Sequence, residues 1–191
     1  MLRQDILSWD KFPVGELIVK KVIATIAAGL VLFVWGTVSW TMLPWRDAAV
    51  EKMPNETIIM QSILDAAPNS GLYYIPGDEA DYTKSTPTAF LNIKKNGYEM
   101  DFPEMMIRGL VLNIIMALLM VFLLGKTSGL GFGQRVGFVT VSGLLIGIAA
   151  NGPYWNWFGF PNYYTMIQIV DSVIMWFLAG LVLAKLAPYQ E

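Results

Sequence analysis

Residues 22–43 read VIATIAAGLVLFVWGTVSWTML. The run holds no charged residue, and its length is close to the roughly 20 residues a helix needs to cross the hydrocarbon of a bilayer. Three more apolar runs follow, Met105 to Leu124, Val136 to Trp155 and Tyr164 to Leu186. The first run does not read as a cleaved signal. Its apolar core is too long, and Ser39-Trp40-Thr41-Met42 offers no small-x-small cleavage site. It is expected to stay as an anchor.

Composition agrees with these runs. The chain has 191 residues, of which 55% are hydrophobic and 15% charged, against about 25% charged in an ordinary soluble domain. Mean hydropathy is +0.50. The net charge of −2 gives no basic surface for nucleic acid. Cys and His are both absent. That removes disulfides, zinc fingers and Cys-ligated clusters, and also the commonest metal ligand and general base. No metal and no cofactor is expected, and no catalytic constellation is visible.

The expected fold is an all-α membrane protein: a four-transmembrane-helix bundle with a small α+β extracytoplasmic insertion between helices 1 and 2. The expected segments are a cytoplasmic 1–21, spans at 22–44, 105–124, 136–155 and 164–186, an outer 45–104, a cytoplasmic turn 125–135, an outer loop 156–163 and a cytoplasmic tail 187–191. Orientation rests on basic flanks. Arg3, Lys11, Lys20, Lys21, Lys126, Arg135 and Lys185 share one side. Arg46, Lys52, Lys84, Lys94, Lys95 and Arg108 share the other, which has far more residues. The denser side is read as cytoplasmic, which places both termini there. Trp40, Trp45, Trp155 and Trp157 fall at the opposite level with Tyr154, Tyr163 and Tyr164, as amphipathic rings do in a headgroup belt.

The insertion carries five basic and ten acidic residues between 45 and 104. Pro54-Asn55-Glu56-Thr57 predicts a helix start, with Asn55 as cap and Glu56 in the first turn. Ile58, Ile59, Ile63 and Ala66 supply its apolar face. Leu72 to Ile75 and Ala89 to Ile93 read as strands, with Asn96-Gly97 as a hairpin turn into Tyr98. Ile63 and Tyr73 are expected to face the interior. Asn55-Glu56-Thr57 is formally a glycosylation sequon, but a helix cap suits it better. Asp78, Glu79 and Asp81 lack the spacing of a calcium loop and read as a solvated acidic turn.

Two nucleotide-like signals fail. Gly125-Lys126-Thr127 lacks a glycine five residues earlier, where Met120 stands. Gly129-x-Gly131-x-Gly133 has the wrong spacing for a dinucleotide fingerprint, and no strand precedes it. The eleven Met residues read as gap fillers.

Asp171 is the acidic residue that lies well inside a span. A carboxylate there must face protein and find partners. Gln168 and Ser172 lie beside it on the helix surface, and Asn113 falls at a matching depth in the second span. The expected polar node is Asp171, Asn113, Gln168 and Asn151. It reads as helix–helix glue, with a proton or substrate path as the alternative. Arg108 is assigned to Glu104, four residues earlier. Gly143-x-x-x-Gly147, Gly180 with Ala184, and Ala24 with Ala28 are small-residue faces for close helix packing.

Gly36-Thr37-Val38-Ser39-Trp40 with Leu43-Pro44-Trp45 resembles the first-helix signature of a family of small, uncharacterised bacterial inner-membrane proteins. Ala67 to Tyr73, Trp155 to Phe160 and Trp176 to Gly180 resemble that family's outer segment, third loop and last helix. The similarity runs from about Val34 to Lys185. Members tend to carry His after Leu-Pro-Trp, where this chain has Arg46. The resemblance implies the topology and no activity.

The expected function is that of a non-enzymatic accessory or structural subunit of a larger membrane complex. Its partners would be the lipid bilayer and other membrane subunits or copies of itself. The alternative is a small transporter or channel subunit built around Asp171. A weaker third reading, an enzyme acting on lipid or quinone, would need carboxylate or Ser–Lys chemistry, and no such pair is apparent.

Overall fold

The computed structural model describes residues 14–77, 85–99 and 101–188. Four helices in it are long and apolar enough to cross a membrane. They are α1 (Val14–Thr41), α3 (Phe102–Leu124), α4 (Phe132–Phe158) and α5 (Asn162–Leu186). A shorter helix, α2 (Glu56–Ala66), and two strands, β1 (Gly71–Ile75) and β2 (Ala89–Ile93), lie between α1 and α3 in the chain. The expected fold class is therefore the observed one. The chain is a multi-pass membrane protein by the length and composition of its helices. It divides into two compact units, one holding the four long helices and the other formed by Val50–Asp101.

The helices outrun the apolar stretches that predict them. At α4 a glycine cap sets the end. Its run continues through Pro153 and stops at Gly159, which takes φ 66°. That left-handed turn suits glycine, and it lets Phe160 N–H as well as Gly159 N–H reach back to Tyr154 O.

Within the four-helix unit, α1 lies between α3 and α5, and α4 packs on the other side of α5. Contact between α3 and α4 is slight. Between apolar helices in lipid there is no hydrophobic drive to associate, so close packing and polar bonds must hold them. Glycines make the close packing possible. A Cβ on Gly29 of α1 would stand 2.9 Å from the backbone of Ile114 on α3. A Cβ on Gly143 of α4 would stand 2.4 Å from the Cβ of Trp176 on α5. The apolar core joins Ala24, Ala28 and Leu32 to Ala117, Met120, Val121 and Leu124, and both to Val139, Trp176, Ala179 and Leu183. It occupies the half of the bundle where α1 and α4 begin and α3 and α5 end.

The second unit has a thin core. Strands β1 and β2 pair antiparallel with Tyr73 opposite Leu91. Ala67 and Ile93 are its buried apolar residues among those described, and α2 has no buried residue. Ile63 and Tyr73 are half-buried. Side-chain bonds to backbone do much of the holding. Tyr73 hydroxyl donates to Asn69 O at 2.7 Å, Ser70 Oγ accepts from Lys95 N–H at 2.9 Å, and the Lys95 ammonium donates to Ala67 O.

Two local expectations are corrected. Asn55 does precede α2, but it sits in the left-handed region at φ 58° and its side chain makes no capping bond. Its carbonyl instead starts the helix, accepting from Ile58 and Ile59 N–H. The Asn96-Gly97 turn forms, with Gly97 N–H donating to Lys94 O at 3.0 Å and φ 78° at Gly97. No strand follows it among the described residues. Tyr98 is exposed, and Pro103 falls in the first turn of α3, where a missing N–H is tolerated. The partner of β2 is therefore β1. The acidic turn at Asp78, Glu79 and Asp81 lies outside the described residues.

Candidate functional site

Asp171 is 8% exposed and lies about 14 Å along α5 from its first residue at the usual helical rise. Helix α1 runs beside it and presents Trp35 and Ser39, one turn apart on the same face. Ser39 Oγ donates to Asp171 Oδ1 at 2.7 Å, and Trp35 Nε1 donates to the same oxygen at 2.8 Å. Beyond the end of α1, Pro44 opens a tight turn in which Ala48 N–H bonds Pro44 O and Ala49 N–H bonds Arg46 O. That turn aims Arg46 back along the bundle. Its Nη2 meets Asp171 Oδ2 at 2.7 Å, and its Nη1 reaches Gln168 Oε1 at 3.4 Å.

Both partners of the ion pair are withdrawn from the surroundings, Arg46 being 8% exposed like Asp171. Tryptophans complete the enclosure. The guanidinium carbon lies 3.5 Å from the centre of the Trp40 ring, a cation–π stack. Trp45 Nε1 donates to Ser39 O at 3.4 Å. Three donors therefore converge on one carboxylate, and its charge is matched by an arginine. This is the condition under which a buried ion pair can offset its desolvation cost. Arg46 Nε is the exception, a buried donor with no partner.

The expected node is thus differently composed. Gln168 is joined to Asp171 through Arg46. Asn113 turns back on its own helix and donates to Gly109 O at 2.8 Å. Asn151 does the same to Gly147 O at 2.9 Å. An asparagine can satisfy its amide within one helix turn, whereas an ionised carboxylate needs donors, and no helix interior has a free N–H to offer. Glu104 and Arg108 form an exposed pair with each other.

The glycine faces are occupied within the chain. Gly143 packs on Trp176, and its carbonyl accepts from Ser172 Oγ at 2.8 Å. Gly147 lies against Ser172 and Ile169, and Gly180 against Val139. Ala184 is buried, and its carbonyl accepts from Arg135 Nη1 at 2.7 Å. Arg135 Nη2 donates to Ala187 O at 2.9 Å. A fully buried arginine on α4 therefore caps the last carbonyls of α5, where a positive charge also complements the helix dipole.

Of the four expected belt tryptophans, Trp40, Trp155 and Trp157 are exposed, and Trp155 Nε1 donates to Asn162 Oδ1 at 2.6 Å. Trp45 is half-buried and bonds into the node.

Sequence reasoning missed Arg46, Trp35, Ser39 and Arg135. Arg46 and Arg135 were legible only as basic flanks that set orientation. One signal was present for Arg46. An intramembrane Asp needs a cation, and Arg46 lies two residues past Pro44, which can turn the chain back. No group of three or more His, Cys, Asp or Glu that could hold a metal occurs among the described residues. Comparison with protein-family models, with curated proteins and with solved structures gives no match for this chain.

Proposed function

We propose that this chain is a non-enzymatic accessory or structural subunit that packs against other membrane proteins in a bacterial cytoplasmic membrane, with both termini cytoplasmic. The observation that carries this reading is the state of Asp171. Both of its carboxylate oxygens are held by groups from the α1 side, and its charge is balanced by Arg46. A carboxylate that binds and releases a proton or cation needs an accessible oxygen and a route to it. This one has its oxygens filled by donors that stitch α1 to α5. The resemblance of Gly36 to Trp45 to a signature of small inner-membrane proteins supports the same placement.

The outward surfaces suit a subunit. Gly133 and Gly137, one turn apart on α4, are exposed with open space over them, so another helix could approach closely there. The thin Val50–Asp101 unit exposes Ile58, Met60, Leu72 and Ile75, more apolar side chain than its own core buries.

Purification of the tagged chain in a mild detergent tests the reading. Stoichiometric co-purification of other membrane proteins is the expected result. A lone homo-oligomer that conducts ions or solute in vesicles would favour the transporter reading instead.

A further inference from the structure

Arg46 Nε is buried and unbonded. Gln168 accepts from Arg46 Nη1 through its Oε1, which leaves its amide nitrogen as a further N–H group beside the pair. Two N–H donors thus flank one ion pair at the end of α1. A buried donor left without an acceptor is disfavoured, and in a membrane protein neither water nor a loop is guaranteed to supply one. The position narrows what can. Trp40 and Trp45 border it, and tryptophans of this kind sit at the boundary between headgroups and hydrocarbon. Trp40 covers the guanidinium while remaining 64% exposed itself, so the cover over the pair lies at the surface of the bundle.

Charge narrows the ligand further. Arg46 is already neutralised by Asp171, so the pair has no net charge with which to hold a free anion. A neutral acceptor oxygen meets the need better. We propose that the Arg46–Gln168 edge, under the Trp40 ring, binds the ester carbonyl oxygens of a phospholipid from the surrounding bilayer. The lipid completes the hydrogen bonding of the pair and anchors this corner of the bundle at a fixed depth.

The test uses the full chain, purified and delipidated in detergent. Melting temperature and retained lipid, read by native mass spectrometry, are measured after adding one of two probes. The first is a diacyl phosphatidylglycerol. The second is its dialkyl-ether analogue, with the same chains and headgroup but no ester carbonyl. The diester lipid is expected to be retained and to raise the melting temperature, with the ether lipid bound about tenfold more weakly, the size of one lost hydrogen bond. Arg46→Lys keeps a cation for Asp171 but has no Nε–H, and Gln168→Leu removes the amide. Each should bring diester binding down to the ether level. Equal retention of both lipids would overturn the proposal in favour of headgroup binding. Retention of neither would leave the free donors to water alone and overturn it as well. Wild-type diester affinity in a folded Gln168→Leu and a folded Arg46→Lys would remove these residues from the site. Should Arg46→Lys fail to fold, the wild-type comparison of the two lipids still decides.

Discussion

Removing either member of the Arg46–Asp171 pair should cost far more than removing both. Arg46→Met leaves Asp171 buried, 8% exposed, without its counter-charge and with Ser39 and Trp35 as its remaining donors. Breaking a buried pair in this way costs about 3–5 kcal/mol. Asp171→Leu strands Arg46 in turn and takes the acceptor from Trp35 and Ser39. Its cost falls toward the lower end of that range, because Arg46 sits beyond the end of α1 and can extend to the interface. In the double variant no charge is buried. Ser39 O–H can turn to a carbonyl one turn earlier, as Thr37 does to Phe33 O, so what remains is the loss of an acceptor for Trp35 N–H, about 1–2 kcal/mol. The two single losses together, about 6–8 kcal/mol, should therefore exceed the double loss by a coupling energy of about 4–7 kcal/mol. Asp171→Asn does not escape the penalty. Whichever way its amide turns, an NH₂ faces either Arg46 or Trp35, and both are donors. Unfolding each variant in mixed micelles with increasing SDS gives the four free energies of the cycle. Additivity within about 0.5 kcal/mol would refute the claim that these two charges depend on each other.

Other consequences follow from packing. Gly143→Ala places a methyl 2.4 Å from Trp176 Cβ, an overpacked contact with the Trp176 side chain, and should destabilise the bundle by about 1–3 kcal/mol, seen as a lowered melting temperature. An unchanged value would mean α4 and α5 are not in this register. Arg135→Ala leaves two buried carbonyls of α5 without donors and should fray that end, so that a cysteine at 184 becomes reactive to maleimide. Continued protection would show that the cap is dispensable. Ile63→Asp should loosen the Val50–Asp101 unit by only about 1 kcal/mol, since Ile63 is half-buried. Complete loss of protease resistance would point to a larger core than the one described.

Much of the fold was legible because the bilayer imposes one requirement on sequence, a long apolar run in which backbone groups bond internally. Residues 22–43 and the three later runs meet it, and helices form over each. The strands were legible for a similar reason, since Leu72 to Ile75 and Ala89 to Ile93 are short apolar runs between turn residues. Asn96-Gly97 misled because a turn-forming pair is local while a strand partner is not. The site was legible in its centre and obscure in its shell. Asp171 announces itself by sitting in a span. Its partners lie 125 to 136 positions away in sequence, and nothing local marks Trp35 as a donor to a carboxylate. Matching depths suggested Asn113. The depth was reasonable, yet depth does not fix which way a side chain turns, and a bond to its own helix was available to Asn113 that Asp171 lacks.

The account stands on the claim that Asp171 holds helices together and takes no part in transport. The most direct measurement is the biological competence of the Arg46→Met/Asp171→Leu double variant, scored by growth and by recovery of co-purifying proteins in cells lacking the native chain. Normal growth and normal recovery are predicted, because the double variant keeps the bundle without any ionisable group at the node. A variant that is abundant, melts near the native temperature and fails to support growth would contradict the account and assign Asp171 to transport.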